Sequence, residues 1–149
     1  MVKPLTASQQ RAVDELVAAR RIEPVVTDEG KAAAFLAGAA DRLSQLPLLT
    51  SVAVRYDIAY DAAHDAGEAL LAGHGYRTTN GPGQHEALGR FLRAVLDDPP
   101  GDRASRRFDQ LRRARNQGRY EARPVGAADA ALAEEVATVL HSAVTGRLA

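Results

Sequence analysis

The sequence predicts an all-α protein, an antiparallel bundle of four to five helices preceded by an N-terminal helix. Three observations support this class. Apolar residues recur at helical spacing in six separate segments, and no segment shows the alternation of a β-strand. Alanine and arginine, which favour helices, are abundant, whereas runs of β-branched residues are missing. The 149 residues suit a single domain, with the N-terminal helix at residues 1–24 and the bundle at residues 25–149.

Capping and terminating residues mark the limits of the first two helices. Thr6 followed by Gln9 is a capping box, which predicts a helix over about residues 7–20. Thr27 is the expected cap of a second helix over about residues 29–46, and the proline that follows this segment ends it.

The third helix begins near Ser51 and extends to about residue 72, where glycines give an end signal. Its buried side is rich in alanine, which lets a neighbouring helix approach closely. A loop is expected over residues 76–83, followed by a fourth helix over about residues 84–97. The last helix is expected over about residues 127–146.

An arginine-rich helix lies between the fourth and the last. The segment 103–123 contains eight arginines and two acidic residues, a net charge of +6 in a chain whose formal net charge is zero. Phe108, Leu111, Arg115 and Gly118 share one face of this helix. A buried guanidinium must be paired or must serve a site, so Arg115 is either an ion-paired core residue or a ligand-binding residue.

Composition excludes several classes of protein. The balanced charge argues against attraction to nucleic acid or membranes by the whole surface, although a local basic patch remains compatible with it. The absence of cysteine excludes disulfides and cysteine–zinc sites. No apolar run reaches the ~18 residues of a membrane span, so we expect a soluble, cytoplasmic protein with no membrane contact. We also expect no cofactor.

The third helix carries a row of acidic and histidine residues. His64 with Glu68, and Asp61 with Asp65, are spaced by four positions and share a face. No metal-binding motif is present, so no metal is predicted, and we expect part of this row to pair with the arginine-rich helix. The other histidines are interpreted as cap, loop or structural residues: His74, His85 and His141.

Two runs of this sequence resemble the HEPN superfamily (higher eukaryotes and prokaryotes nucleotide-binding). The first is LRRARNQGRY at residues 111–120, and the second is YDIAYDAAHDAGEALLAGHGYRTTNGPGQHEAL at residues 56–88. The resemblance covers about residues 30–146. It implies a helical bundle that dimerises, with the helices that carry the first run facing each other across the two-fold axis.

The resemblance also implies the site. Ribonucleases of the superfamily use an arginine that holds the scissile phosphate, a polar residue, and a histidine that moves protons, without metal. Arg115 and Asn116 match the first two, and Tyr120 stands at the position of the histidine. A phenol with a pKa of about 10 is a poor general base near neutral pH. By position, the resemblance implies Arg115, Asn116 and Tyr120 as the catalytic residues. We expect the ligand-binding residues to be Arg112, Arg119, Asp61 and His64.

Three functions follow as hypotheses. The first is a HEPN-like dimerisation module that binds RNA, a nucleotide or a partner protein through an arginine-lined cleft. Its setting would be a prokaryotic defence, toxin–antitoxin or stress system, with a nucleotidyltransferase as a possible partner. The second is a metal-independent endoribonuclease toxin, in which Tyr120, His64 or His85 performs the acid–base step. The third is a structural helical homodimer whose arginines only form ion pairs.

Overall fold

The computed structural model describes the backbone of residues 1–149 and all side chains except those of Arg119 and Tyr120. The predicted, mostly helical class is confirmed. The helices are α1 (Ala7–Ala18), α2 (Glu29–Gln45), α3 (Val52–His74), α4 (Gln84–Val95), α5 (Gly101–Glu121) and α6 (Ala127–Leu148). The strands are β1 (Ile22–Pro24) and β2 (Tyr76–Thr78), and a 3-10 turn at Leu46–Leu48 follows α2.

The helix boundaries follow from local chemistry. The Thr6–Gln9 capping box is present, with the Gln9 N–H donating to Thr6 Oγ1 at 3.1 Å and the Thr6 N–H donating to Gln9 Oε1 at 2.9 Å. Gly75 ends α3 in a left-handed conformation, with φ of +80°. The predicted cap of α2 is wrong by one residue, because the Asp28 carboxylate, rather than Thr27, accepts the N–H of Lys31 at 2.8 Å.

The structure adds to the all-α class one short sheet that no alternating pattern in the sequence indicates. β1 and β2 pair in antiparallel orientation, with Ile22 opposite Thr78 and Pro24 opposite Tyr76. β2 therefore occupies the start of the segment that the sequence assigns to a loop. Strands of three residues are too short to show alternation. They form because the connection after α1 and the connection after α3 lie side by side, where their backbone groups satisfy each other.

α3 is the central helix of the bundle. It packs against α2 and α6 along most of its length and against α4 and α5 elsewhere. Its alanines allow this close approach on several sides. α5 covers α4 and α6 with Phe108 and Leu111, which are both buried. Among the helices that the structure describes, none combines the length and the apolar composition needed to cross a membrane.

The N-terminal helix is joined to the rest of the bundle by a buried glutamine. The Gln9 side chain donates to the Val95 carbonyl at 3.1 Å and to Asp97 Oδ1 at 2.8 Å. Arg147 of α6 donates to Gln9 Oε1 at 3.1 Å, and the Lys3 N–H donates to the Arg147 carbonyl at 2.9 Å. The first and last turns of the chain are therefore held together at one end of the bundle.

Candidate functional site

Most half-buried or exposed arginines of α5 lie beside carboxylates. Arg112 and Arg113 both contact Asp109 of the same helix, each at 2.9 Å. Asp65 of α3 pairs with Arg42 of α2 at 2.6 Å. The expectation that the acidic row of α3 pairs with α5 is therefore not met by Arg112. The predicted pairing of Arg119 with this row is not tested, because the side chain of Arg119 lies outside the described residues. Two further pairs of α5 are looser: Arg106–Asp102 at 3.6 Å and Arg107–Glu135 at 3.8 Å.

Arg115 differs from these neighbours. Its side chain is half-buried, and it forms no ion pair with the carboxylates of the described residues. The guanidinium lies over the ring of Tyr60, with Cζ 4.8 Å from the ring centroid. Its Nε is fully buried and has no hydrogen-bond acceptor among the described residues. A buried donor without an acceptor costs about 1–3 kcal/mol, and this Nε is too deeply buried for an external anion to contact it. An anion would bind at the terminal nitrogens of the guanidinium, which pair with no carboxylate of the described residues.

Two histidines pack beside the same tyrosine. The Tyr60 hydroxyl lies 2.8 Å from His85 Nδ1, and the rings of His64 and His85 are 4.5 Å apart between centroids. Tyr60 and His64 share a face of α3 because they are four positions apart, and His85 comes from the first turn of α4. The Tyr60 ring also stacks on Phe108 of α5 at 5.5 Å. We call Tyr60, His64, His85 and Arg115 the Arg115 site.

Burial keeps the histidines and the tyrosine of the Arg115 site uncharged near neutral pH. Burial, assisted by His85 and Arg115, lowers the pKa of His64 to about 4. Burial also lowers the pKa of His85, and the charges of Arg115 and Arg112 act in the same direction, while Asp61 opposes them. Burial raises the pKa of Tyr60 to about 12. The site therefore presents one guanidinium surrounded by neutral polar aromatic groups.

The structure brings together some of the predicted site residues. Arg115 and His64 belong to the Arg115 site, and Arg112 and Asp61 influence His85 from its border. Asn116 is exposed on α5. The predictions for Arg119 and Tyr120 fall on side chains outside the described residues.

His85 belongs to the site although its sequence position indicates a cap or loop residue. Its partner Tyr60 lies 25 positions earlier, so no local spacing connects the two. The expected start of the fourth helix at about residue 84 nevertheless places His85 in the first turn, where a side chain can face the preceding helix.

Metal ligands do not converge within the described part of the chain. No group of three histidine or acidic side chains is placed there to hold a metal ion. The closest pair on α3, His64 Nε2 and Glu68 Oε1, is separated by 3.9 Å. Comparisons of the chain with family models, with curated proteins and with solved structures give no match. The geometry and charge of the Arg115 site are therefore the basis on which we infer a function.

Proposed function

We propose that this protein is a HEPN-like dimerisation module that binds RNA through the Arg115 site, in a prokaryotic defence, toxin–antitoxin or stress system. The observation that carries the proposal is the guanidinium of Arg115, which is half-buried, lacks a carboxylate partner and holds a buried Nε without an acceptor. The resemblance of residues 111–120 to the superfamily points to the same helix, and the resemblance of residues 56–88 covers the segment that carries Tyr60, His64 and His85.

The chemistry of the site suits a phosphate on single-stranded RNA. A guanidinium offers planar, paired donors that match two phosphate oxygens. The neutral, partly buried rings of His64 and His85 offer donors and stacking surfaces of the kind that proteins use for unstacked bases. Tyr60 is fully buried, and it positions His85 through its hydroxyl. Arg112 lies one turn before Arg115 on the same side of α5, and its charge also acts on His85. A protein with no net charge can therefore still attract a polyanion at this face.

Dimerisation is part of the proposal. The resemblance implies that two copies of α5 approach each other across a two-fold axis, which would join two Arg115 sites into one longer basic cleft. We propose a homodimer as the binding form and a small nucleotidyltransferase as its partner in the cell. A purely structural role would limit Arg115 to its contact with the Tyr60 ring, and it predicts that Arg115→Ala lowers stability without changing RNA affinity.

Fluorescence anisotropy with a labelled oligouridylate tests the binding. Arg115→Ala removes the phosphate donor, and we expect a loss of affinity of about 10- to 100-fold, because hydrogen bonds to charged groups contribute about 1.5–3 kcal/mol. Arg113→Ala is the matched control. It removes the same charge from an exposed arginine that already contacts Asp109, so we expect only a small loss. Equal affinities for wild type and Arg115→Ala would reject the proposal.

A metal-independent endoribonuclease is the second candidate. The observation that favours it is the pair His64–His85 beside Arg115, because histidine is the residue that most often transfers protons in catalysis. Burial lowers the pKa of both rings, so they would accept protons efficiently only after a bound phosphate raises that pKa. Cleavage of RNA by wild type in the presence of a chelator, lost in Arg115→Ala, would favour the enzyme. Binding without cleavage would favour the module.

A further inference from the structure

The two ring nitrogens of His85 have different surroundings. Nδ1 contacts the Tyr60 hydroxyl at 2.8 Å, whereas Nε2 makes no hydrogen bond with the described residues. When the hydroxyl donates to Nδ1, the proton of the neutral ring resides on Nε2, which then is a free donor. His85 and Arg115 contact the same tyrosine, one at its hydroxyl and the other over its ring. The charge of Arg115 also acts on His85, so the two side chains are neighbours in one site.

Charged groups reach His85 from each helix packed around it. α5 contributes Arg115 and Arg112, and both disfavour a charged imidazole. α3 contributes Asp61, which favours the charged form, and the neutral groups Tyr60 and His64. Two further carboxylates are nearby: Glu68 Oε1 lies 3.9 Å from His64 Nε2, and Glu86 pairs with Arg90 of α4 at 2.8 Å.

We propose that His85 is a second phosphate-binding residue of the Arg115 site and that it takes up a proton when a phosphate binds. The inference rests on the proposed function, because it assumes an RNA phosphate at Arg115. The bound anion offsets the positive field of Arg115 and accepts the N–H at Nε2. The proton comes from solvent and is held at Nδ1, and the Tyr60 hydroxyl rotates to accept it. No covalent bond is formed or broken.

The sign of the pH dependence follows from proton linkage. In the free protein the pKa of His85 lies below its usual 6.5, mainly because of burial. In the complex a neighbouring phosphate raises that pKa. The complex therefore binds more protons than the free protein, and affinity for RNA increases as the pH falls between the two pKa values. One proton taken up gives at most about a tenfold gain in affinity per pH unit.

Anisotropy titrations with labelled oligouridylate between about pH 5 and 8 test this coupling. We expect wild-type affinity to rise several-fold toward the acidic end. His85→Gln keeps a neutral donor but cannot take up a proton, so we expect it to bind with a flat pH profile. His141→Gln changes a histidine on α6, away from the site, and should keep the wild-type slope. Calorimetry in two buffers with different ionisation heats should show that wild type takes up a proton on binding RNA. The same measurement should show no proton uptake by His85→Gln.

The outcomes separate the two proposals. If RNA binding requires Arg115 but His85→Gln keeps the wild-type slope, the inference is wrong and the proposed function stands. If the slope disappears in His64→Gln and persists in His85→Gln, the proton acceptor is His64 and the assignment of His85 is wrong. If wild type binds no RNA at any pH, both proposals fail. Circular dichroism spectra that match wild type establish that each variant is folded.

Discussion

Gly67 of α3 lies directly against Leu88 of α4. A Cβ placed on Gly67 would be 2.9 Å from both Cγ and Cδ1 of Leu88, which is closer than van der Waals contact allows. Leu88 is fully buried, so its side chain has no free space to enter. This approach brings α4 near enough to α3 for His85 to reach Tyr60 and His64. The glycine therefore supports the site through backbone packing.

Gly67→Ala should destabilise the protein. The added methyl group overpacks the contact with Leu88, which typically costs about 1–3 kcal/mol. Gly146→Ala is the matched control, because a Cβ there meets no atom within 4 Å and alanine favours the helix. Urea unfolding monitored by circular dichroism measures both changes. Equal stabilisation by the two substitutions would show that α3 and α4 are farther apart than described.

Stability should decrease as the pH falls below about 6.5. Burial lowers the pKa of both His64 and His74 to about 4, from 6.5. Between these values the unfolded chain binds protons that the folded protein does not, so acid favours unfolding, and the loss is complete below the folded pKa. The urea midpoint should fall less steeply in the variant that carries His64→Gln and His74→Gln. An unchanged slope in that variant would assign the acid sensitivity to other groups.

Light scattering should give the mass of a dimer at micromolar concentration. If α5 faces its copy across a two-fold axis, Asn116→Arg adds like charges to both sides of that interface and should shift the protein toward monomer. Thr138→Arg on the exposed side of α6 is the control and should leave the mass unchanged. A strict monomer for wild type would count against the dimeric part of the proposal.

Tyr120→His tests the departure from the superfamily's ribonucleases. We expect wild type to cleave RNA slowly or not at all, because the residue at the histidine position is a tyrosine. An imidazole there should increase cleavage by up to about 10²–10⁴-fold, and Arg115→Ala in the same variant should remove the gain. Robust wild-type cleavage that Tyr120→Phe leaves unchanged would place the catalytic residue elsewhere.

Much of the fold is predictable because residues within one turn of each helix end determine where the helix starts or stops. Thr6, Ser51 and Gly75 each act within one turn of themselves, and all three are found at the expected helix ends. The strands are not determined locally. Ile22 pairs with Thr78 only because the segment after α1 lies beside the segment after α3 in the folded protein. The end of α5 is indicated by Pro124 and Gly126, and the helix does end at Glu121. The left-handed conformation of Ala122, with φ of +53°, was not predictable, because that position carries no glycine.

The site is less predictable than the fold. The sequence singles out Arg115 as a cation on an apolar face, and that anomaly marks the part of the helix that meets Tyr60. Whether the arginine is paired depends on where the acids of α3 point, and Asp65 turns to Arg42 of α2 instead. His85 becomes a site residue only through the packing of α4 on α3. These are contacts between helices, which no spacing within one helix encodes.

The hydrogen bond between the Lys3 N–H and the Arg147 carbonyl leaves the two ends of the described chain adjacent. A short linker could join them without disturbing the bundle, and new ends could be opened at Gly81, which is exposed and where a Cβ would meet no atom within 4 Å. The resulting circular permutant would keep every helix while changing which of them is synthesised first. The order of the helices along the chain is thus separable from their arrangement in space.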